Sequence, residues 1–178
     1  FKLYTIGSLF NIHPTKAYRV TNHLLFQTRG KTPVVTNSST NNGISGYINL
    51  SPTERGGIVT YSDTTTSDGI FFQPVDFIGY PHVQGVYPIK ESEWNEKTLL
   101  FFVSTFRKSA GGRFDYANKF NRSIAKTMNI SLPCTKNGKI DYEFMETYIK
   151  AIEKKVIQNV IRWKDKEIEK TKEVVNLK

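Results

Sequence analysis

The residues best equipped for chemistry in this chain lie in one stretch, RKSAGGRFDYANKFNR, from Arg107 to Arg122. It carries five cations, Arg107, Lys108, Arg113, Lys119 and Arg122, against the single acid Asp115. Gly111 and Gly112 interrupt it, and Phe114, Tyr116 and Phe120 are threaded among the charges. A solvated loop has no need of three aromatics, and a buried segment cannot hide five cations. A nucleic-acid surface asks for both at once. Lys and Arg neutralise the phosphate rail, and Arg can also meet guanine O6 and N7 with two parallel N–H groups. Aromatics stack on bases or seat the loop on its own domain, and the glycines let one backbone approach another. The expectation is a division of labour, with aromatics mainly packing and cations mainly facing phosphate. A second polar run, NSSTNNGISGY from Asn37 to Tyr47, offers Asn37, Thr40, Asn41 and Asn42. Amide side chains suit adenine edges, and the same composition also suits a plain turn.

Other chemistries find little support. His13, His23 and His82 have no metal-ligand spacing. Asp63 and Asp68 flank SDTTTSDG, which lacks the spaced carboxylates of a calcium loop and reads as a hairpin tip. Glu153 and Lys155 form a nuclease-like Glu-x-Lys, but inside a helical charge pattern where such triplets arise freely. Cys134 has no base in its local sequence. No Walker-type phosphate loop and no G-x-S-x-G is present. Base methylation would call for a glycine-rich cofactor turn and an Asn/Asp-Pro-Pro-aromatic motif, and neither occurs. The chain reads as a recognition component without catalytic residues, metal or cofactor.

The elements that must position these residues change character along the chain. In the first ninety residues KTPVVTNSS, GISGYINL, GGIVTYS, GIFFQP and HVQGVYPIK are short and rich in Val, Ile, Tyr and Phe. Asn, Gly, Pro, Ser and Asp separate them, as between strands. Pro33, Pro74, Pro81 and Pro88 argue against long central strands at those points. From Trp94 to Ala110 the period becomes helical, with Asn95 as N-cap and Gly111 as stop, and the apolar residues nearly encircle the axis. A short helix near Arg122 to Met128 and a strand, NISLP, follow. Asp141 can then cap a helix of about thirty residues, free of Gly and Pro. Its stripe runs through Met145, Ile149, Ile152, Val156, Val160 and Trp163 at spacings of four and three, and these six are the expected helix-pairing residues. A helix roughly 45 Å long outruns the domain beside it, so its far half should project and pair with another helix.

Composition narrows the class. Apolar residues make up 38% and charged residues 23%, the mixture of a soluble globular protein. No apolar run approaches the ~20 residues of a membrane span. One cysteine excludes an internal disulfide and a Cys-based zinc site, and fits the cytoplasm. No secretory leader opens the chain, and a start at Phe1 suggests a piece of a longer protein. The formal charge of +9 is unevenly placed: residues 141–178 hold nine Lys and Arg against eight Asp and Glu, whereas residues 1–140 hold sixteen against eight. The excess belongs to the globular part, as expected of a surface facing a polyanion.

Several segments together resemble a family. TIGSLFNI, KTPVVTNSSTNNGISGY, SDTTTSDGIFFQP, FIGYPHVQGVYPI and LLFFVSTFRKSAGGRFDYANKFNR occur in the order expected of a target recognition domain. ISLP followed by GKIDYEFMETYIKAIEK completes the likeness and is its most telling part. The chain is similar to the recognition domains in specificity subunits of type I restriction-modification systems and of related bifunctional type II enzymes. The resemblance implies an α+β fold, a mixed α/β globular recognition domain over residues 1–138. A long helix of the conserved spacer region follows over 139–178, suited to antiparallel coiled-coil pairing. It also implies that the chain reads one half of a split duplex DNA target. Methyltransferase subunits or domains would dock nearby, with an endonuclease component left open. A full specificity subunit carries two recognition domains, whereas this chain has one and no internal repeat. A second recognition domain, or a second copy joined through the long helix, is therefore expected as partner. Two other classes stand beside this reading: a small nuclease with an unrecognised site, and an RNA-binding or scaffold protein whose helix matters more than its loops.

Overall fold

A computed structural model describes residues 1–64, 67–114 and 119–176. Its centre is an antiparallel four-stranded sheet in the order Phe10–Pro14, Val83–Pro88, Ile58–Ser62, Ile70–Gln73. β1 (Lys2–Thr5), the one-turn helix α1 (Ile6–Leu9) and β2 (Phe10–Pro14) open the chain. The one-turn helix α2 (Asn22–Leu25) leads to β3 (Arg29–Val35) and β4 (Ile44–Ile48). β5 (Ile58–Ser62), β6 (Ile70–Gln73) and β7 (Val83–Pro88) complete the first half. α3 (Glu96–Ala110), α4 (Arg122–Thr127), β8 (Asn129–Leu132) and α5 (Tyr142–Asn176) follow.

β5 shows why a strand here need not alternate between apolar and polar residues. All five of its residues are buried, because it lies between β7 and β6 and is covered on both faces. Val59 and Tyr61 join the aromatic core under α3, while Ile58 packs with Val35, Phe77 and Val83 on the other side. That core is stacked from both directions: Phe10 lies 4.2 Å from Phe102, and Tyr61 lies 4.7 Å from Phe120. α3 is therefore buried nearly all round, as its sequence requires. Its start is closed by a reciprocal capping box in which Asn95 accepts from the Thr98 N–H and Thr98 from the Asn95 N–H.

β3 and β4 form a separate two-stranded ribbon over a small cluster of Leu25, Val34, Ile48 and Ile78. Pro33 sits in this ribbon rather than in the main sheet, where its missing N–H costs no central ladder bond. β1 and β8 pair antiparallel, so the N-terminus is tied to the segment that launches α5. The strand reading of the first ninety residues contained neither one-turn helix. Four residues are too few to show a helical period.

The Asp141 carboxylate accepts from the Phe144 N–H at 2.9 Å, capping α5 as its position suggested. The helix runs for 35 residues, about 52 Å, rather than about thirty. Its first turns dock on α3: Met145 is fully buried, and Phe101 meets Phe144 and Tyr148 edge-on. Met145 and Ile149, expected on the pairing face, instead pack into the domain's own core, because the root of the helix covers α3. Lys97 pairs with Glu153 at 2.6 Å, which gives that glutamate a structural partner on α3. Every residue from 154 to 175 is exposed.

Candidate nucleic-acid interface

The β5–β6 hairpin brings together two of the predicted contact groups, Arg107 and the Asn37–Asn42 loop. SDTTTSDG is indeed the connection of this hairpin, with Tyr61 opposite Ile70; Thr65 and Thr66 lie outside the described residues. Arg107, in the last turn of α3, reaches the hairpin from one side. Its Nε donates to the Ile70 carbonyl at 2.8 Å, its Nη2 reaches the Asp68 carbonyl at 3.5 Å, and its guanidinium lies 4.8 Å from the centre of the Phe71 ring. This strap orders the side chain and leaves part of the guanidinium fork uncommitted.

The Asn37–Asn42 loop reaches the same hairpin from the other side. Asn42 donates its amide to the Phe72 carbonyl at 3.0 Å and to Gln73 Oε1 at 3.2 Å. Gln73 in return donates to the Asn42 carbonyl at 3.1 Å and to Thr60 Oγ1 at 2.9 Å. Asn41 and Asn42 both adopt positive φ, 49° and 55°, and Asn41 donates to the Ile44 carbonyl at 2.9 Å. These two amides are therefore engaged in building the turn, the plainer of the two roles open to them in the sequence. Asn37 donates to Thr64 Oγ1 at 3.3 Å, and Thr40 remains exposed with its hydroxyl 3.2 Å from Ser38.

In the Arg107–Arg122 segment the aromatics and cations separate. Phe114 and Phe120 are buried and stacked face to face at 4.4 Å. Lys108, Arg113, Lys119 and Arg122 are exposed. Arg113 donates to the Ser109 carbonyl at 3.3 Å and lies over Phe114. Gly112 takes the left-handed conformation, φ 68°, that turns the chain after α3. Arg107 and Lys108 sit at the negative end of α3, where cations are stabilised. Arg122 opens α4, the end where a cation gains nothing from the helix. Asp115 and Tyr116 lie outside the described residues.

Behind this surface is a polar group without signature in the sequence. Asp63 accepts from Gln84 Nε2 at 2.7 Å and lies 3.2 Å from His82 Nδ1. Among the described residues, Tyr61 Oη and Gln84 Oε1 are buried without hydrogen-bond partners. Burial raises the Tyr61 hydroxyl above its ordinary pKa, Asp63 adds to the rise, and Arg122 opposes it. Tyr61 and Gln84 are paired across β5 and β7, a neighbourhood that only the register creates.

Known proteins share this fold. Residues 1–162 match the family model described as the type I restriction modification DNA specificity domain. A curated relative is the specificity subunit of a type II restriction enzyme from Heyndrickxia coagulans, 27% identical over 135 residues. That match covers 72% of this chain and 37% of the relative. Among solved structures, the S subunit of a type I restriction-modification system from M. genitalium superposes with a TM-score of 0.64 at 13% identity. It is matched over 88% of this chain and 40% of its own. The HsdS subunit of Thermoanaerobacter tengcongensis gives 0.56 at 12% identity, over 88% of this chain and 38% of its own. This chain thus spans well under half the length of each of these relatives. With the family model covering the whole globular part and α5 as far as residue 162, the chain belongs to the family of type I restriction modification DNA specificity domains.

Proposed function

We propose that this chain reads one half of a bipartite duplex DNA target for a restriction-modification complex, and catalyses no step itself. The observation that carries this reading is the meeting of two sequence-distant polar regions on the β5–β6 hairpin, Arg107 from one side and the Asn37–Asn42 loop from the other. Lys108, Arg113, Lys119 and Arg122 supply phosphate contacts around it, and Arg107, Asn37 and Thr40 are the nearest candidates for base edges. Asn41 and Asn42 shape the loop that presents them. Residues 1–138 form the reading unit and residues 139–178, with α5, the spacer. Ile152, Val156, Val160 and Trp163, all at least 43% exposed, receive a second recognition unit or a second copy. The methyltransferase components dock on the assembled complex, which works in the cytoplasm.

Selection from a randomised duplex library at about 150 mM salt tests the reading, since phosphate-only binding is weak there. Enrichment of a few defined bases is expected, with two copies at fixed spacing if α5 pairs two chains. Folded protein that enriches nothing would overturn it.

A further inference from the structure

The charge of the globular part is concentrated in two places, and only one of them is the Arg107–Arg122 segment. That segment holds five cations and one acid. Residues 1–53 hold Lys2, Lys16, Arg19, Arg29 and Lys31 and no Asp or Glu at all. The rest of the first 140 residues carries six cations against seven acids. The larger unbalanced charge therefore lies outside the hairpin region.

The fold gathers most of that charge around one turn. Tyr18 donates to the Ser51 carbonyl at 2.8 Å, which holds the Lys16–Arg19 loop against the end of β4. Thr32 donates to the Leu50 carbonyl at 2.8 Å, and Arg29 is paired with Ile48, so Arg29 and Lys31 border the same turn. Lys16, Arg19, Arg29 and Lys31 are all exposed. Among the described residues the side chains of Arg19, Arg29 and Lys31 have no ion-pair or hydrogen-bond partner. Glu54, the nearest acid in sequence, already accepts from the Lys16 N–H at 2.6 Å and from Tyr87 Oη at 2.7 Å. Unpaired like charges kept together oppose folding, so a polyanionic partner is the physical reason to keep them.

We infer that Arg19, Arg29 and Lys31, with Lys16, form a second DNA face that grips the phosphates flanking the bases read at the hairpin. This rests on the recognition reading above and extends it. The seven residues of β3 connect the two faces, with Arg29 at one end and the Asn37–Asn42 loop beyond the other, a separation of roughly 20 Å. Each strand of a duplex offers a phosphate charge every ~3.4 Å along its axis, so one continuous backbone can serve both. Phosphate contacts carry no base information. The second face accordingly sets affinity and register without altering the recognised sequence.

The test compares the full chain with an Arg19→Gln/Arg29→Gln/Lys31→Gln variant on a duplex carrying the selected motif, titrated from about 50 to 300 mM salt. The slope of log affinity against log salt is expected to fall by about two to three, with binding at least ~10-fold weaker near 100 mM and the motif unchanged. The difference should vanish on a duplex trimmed to the motif. Arg19→Gln alone, in a loop outside any strand, should lose about one unit of slope, and Arg19→Lys/Arg29→Lys/Lys31→Arg none. An unchanged slope while the wild-type chain still selects its motif overturns the second face and hands the patch to an acidic protein. A wild-type chain that binds no duplex overturns both readings.

Discussion

At the scale of single residues, Asn42 and Tyr61 test how the hairpin is built. Asn42 is the amide that ties its loop to β6, bonding the Phe72 carbonyl and Gln73. Asn42→Ala strands part-buried partners and places a non-Gly, non-Asn residue at φ 55°. We expect a loss of about 1–3 kcal/mol, read by denaturant unfolding. Tyr61 is the opposite case. Its hydroxyl is buried without a partner among the described residues, so Tyr61→Phe should leave stability equal or raised. The same substitution has a signature in pH. The folded-state pKa of Tyr61 is raised, chiefly by burial, so the native state keeps the proton while the unfolded chain releases it near pH 10. The stability this contributes is whole below about pH 10 and lost as pH climbs beyond it. Tyr61→Phe should therefore flatten the alkaline fall in Tm; an unaltered profile would place that fall at Tyr87 and Tyr142, whose hydroxyls burial also raises.

At the scale of elements, α5 divides into a docked root and a free shaft. Met145 is its fully buried anchor, packed in the core under α3. Met145→Ala should cost about 2–5 kcal/mol through the cavity it leaves. Val156 and Val160 are 55% and 56% exposed, so Val156→Asp/Val160→Asp should leave the unfolding midpoint of the isolated domain nearly unchanged. Thermal melts of the two variants side by side check the division. Equal losses would mean that the shaft is also needed for the fold.

At the scale of the molecule, a shaft exposed from residue 154 to 175 leaves an apolar stripe that one copy cannot bury. Sedimentation at tens of micromolar should detect self-association of the chain, and Val156→Asp/Val160→Asp should abolish it. A wild-type monomer at that concentration would assign the stripe to a partner other than a second copy of the chain. Pairing through α5 would also join two reading units at a fixed distance, turning two weak half-site affinities into one strong one.

How much of this was legible in the sequence depended on how local the physics is. α3 with its Asn95 cap, α5 with its Asp141 cap, and six of the strands are written in short-range patterns: periodicity, capping residues and turn residues act within a few positions. The separation of buried Phe114 and Phe120 from exposed cations followed from the same logic, because each side chain's transfer energy is its own property. The one-turn helices, the turn-building amides of Asn41 and Asn42, and the strap from Arg107 to Ile70 were not legible. They depend on partners brought close only when β5, β6 and β7 pair and α3 lies across them. The charge excess was determined by the sequence alone. Its division into two faces was decided by the tertiary structure, because hydrogen bonds from Tyr18 and Thr32 fold the Lys16–Arg19 loop and β3 onto one turn.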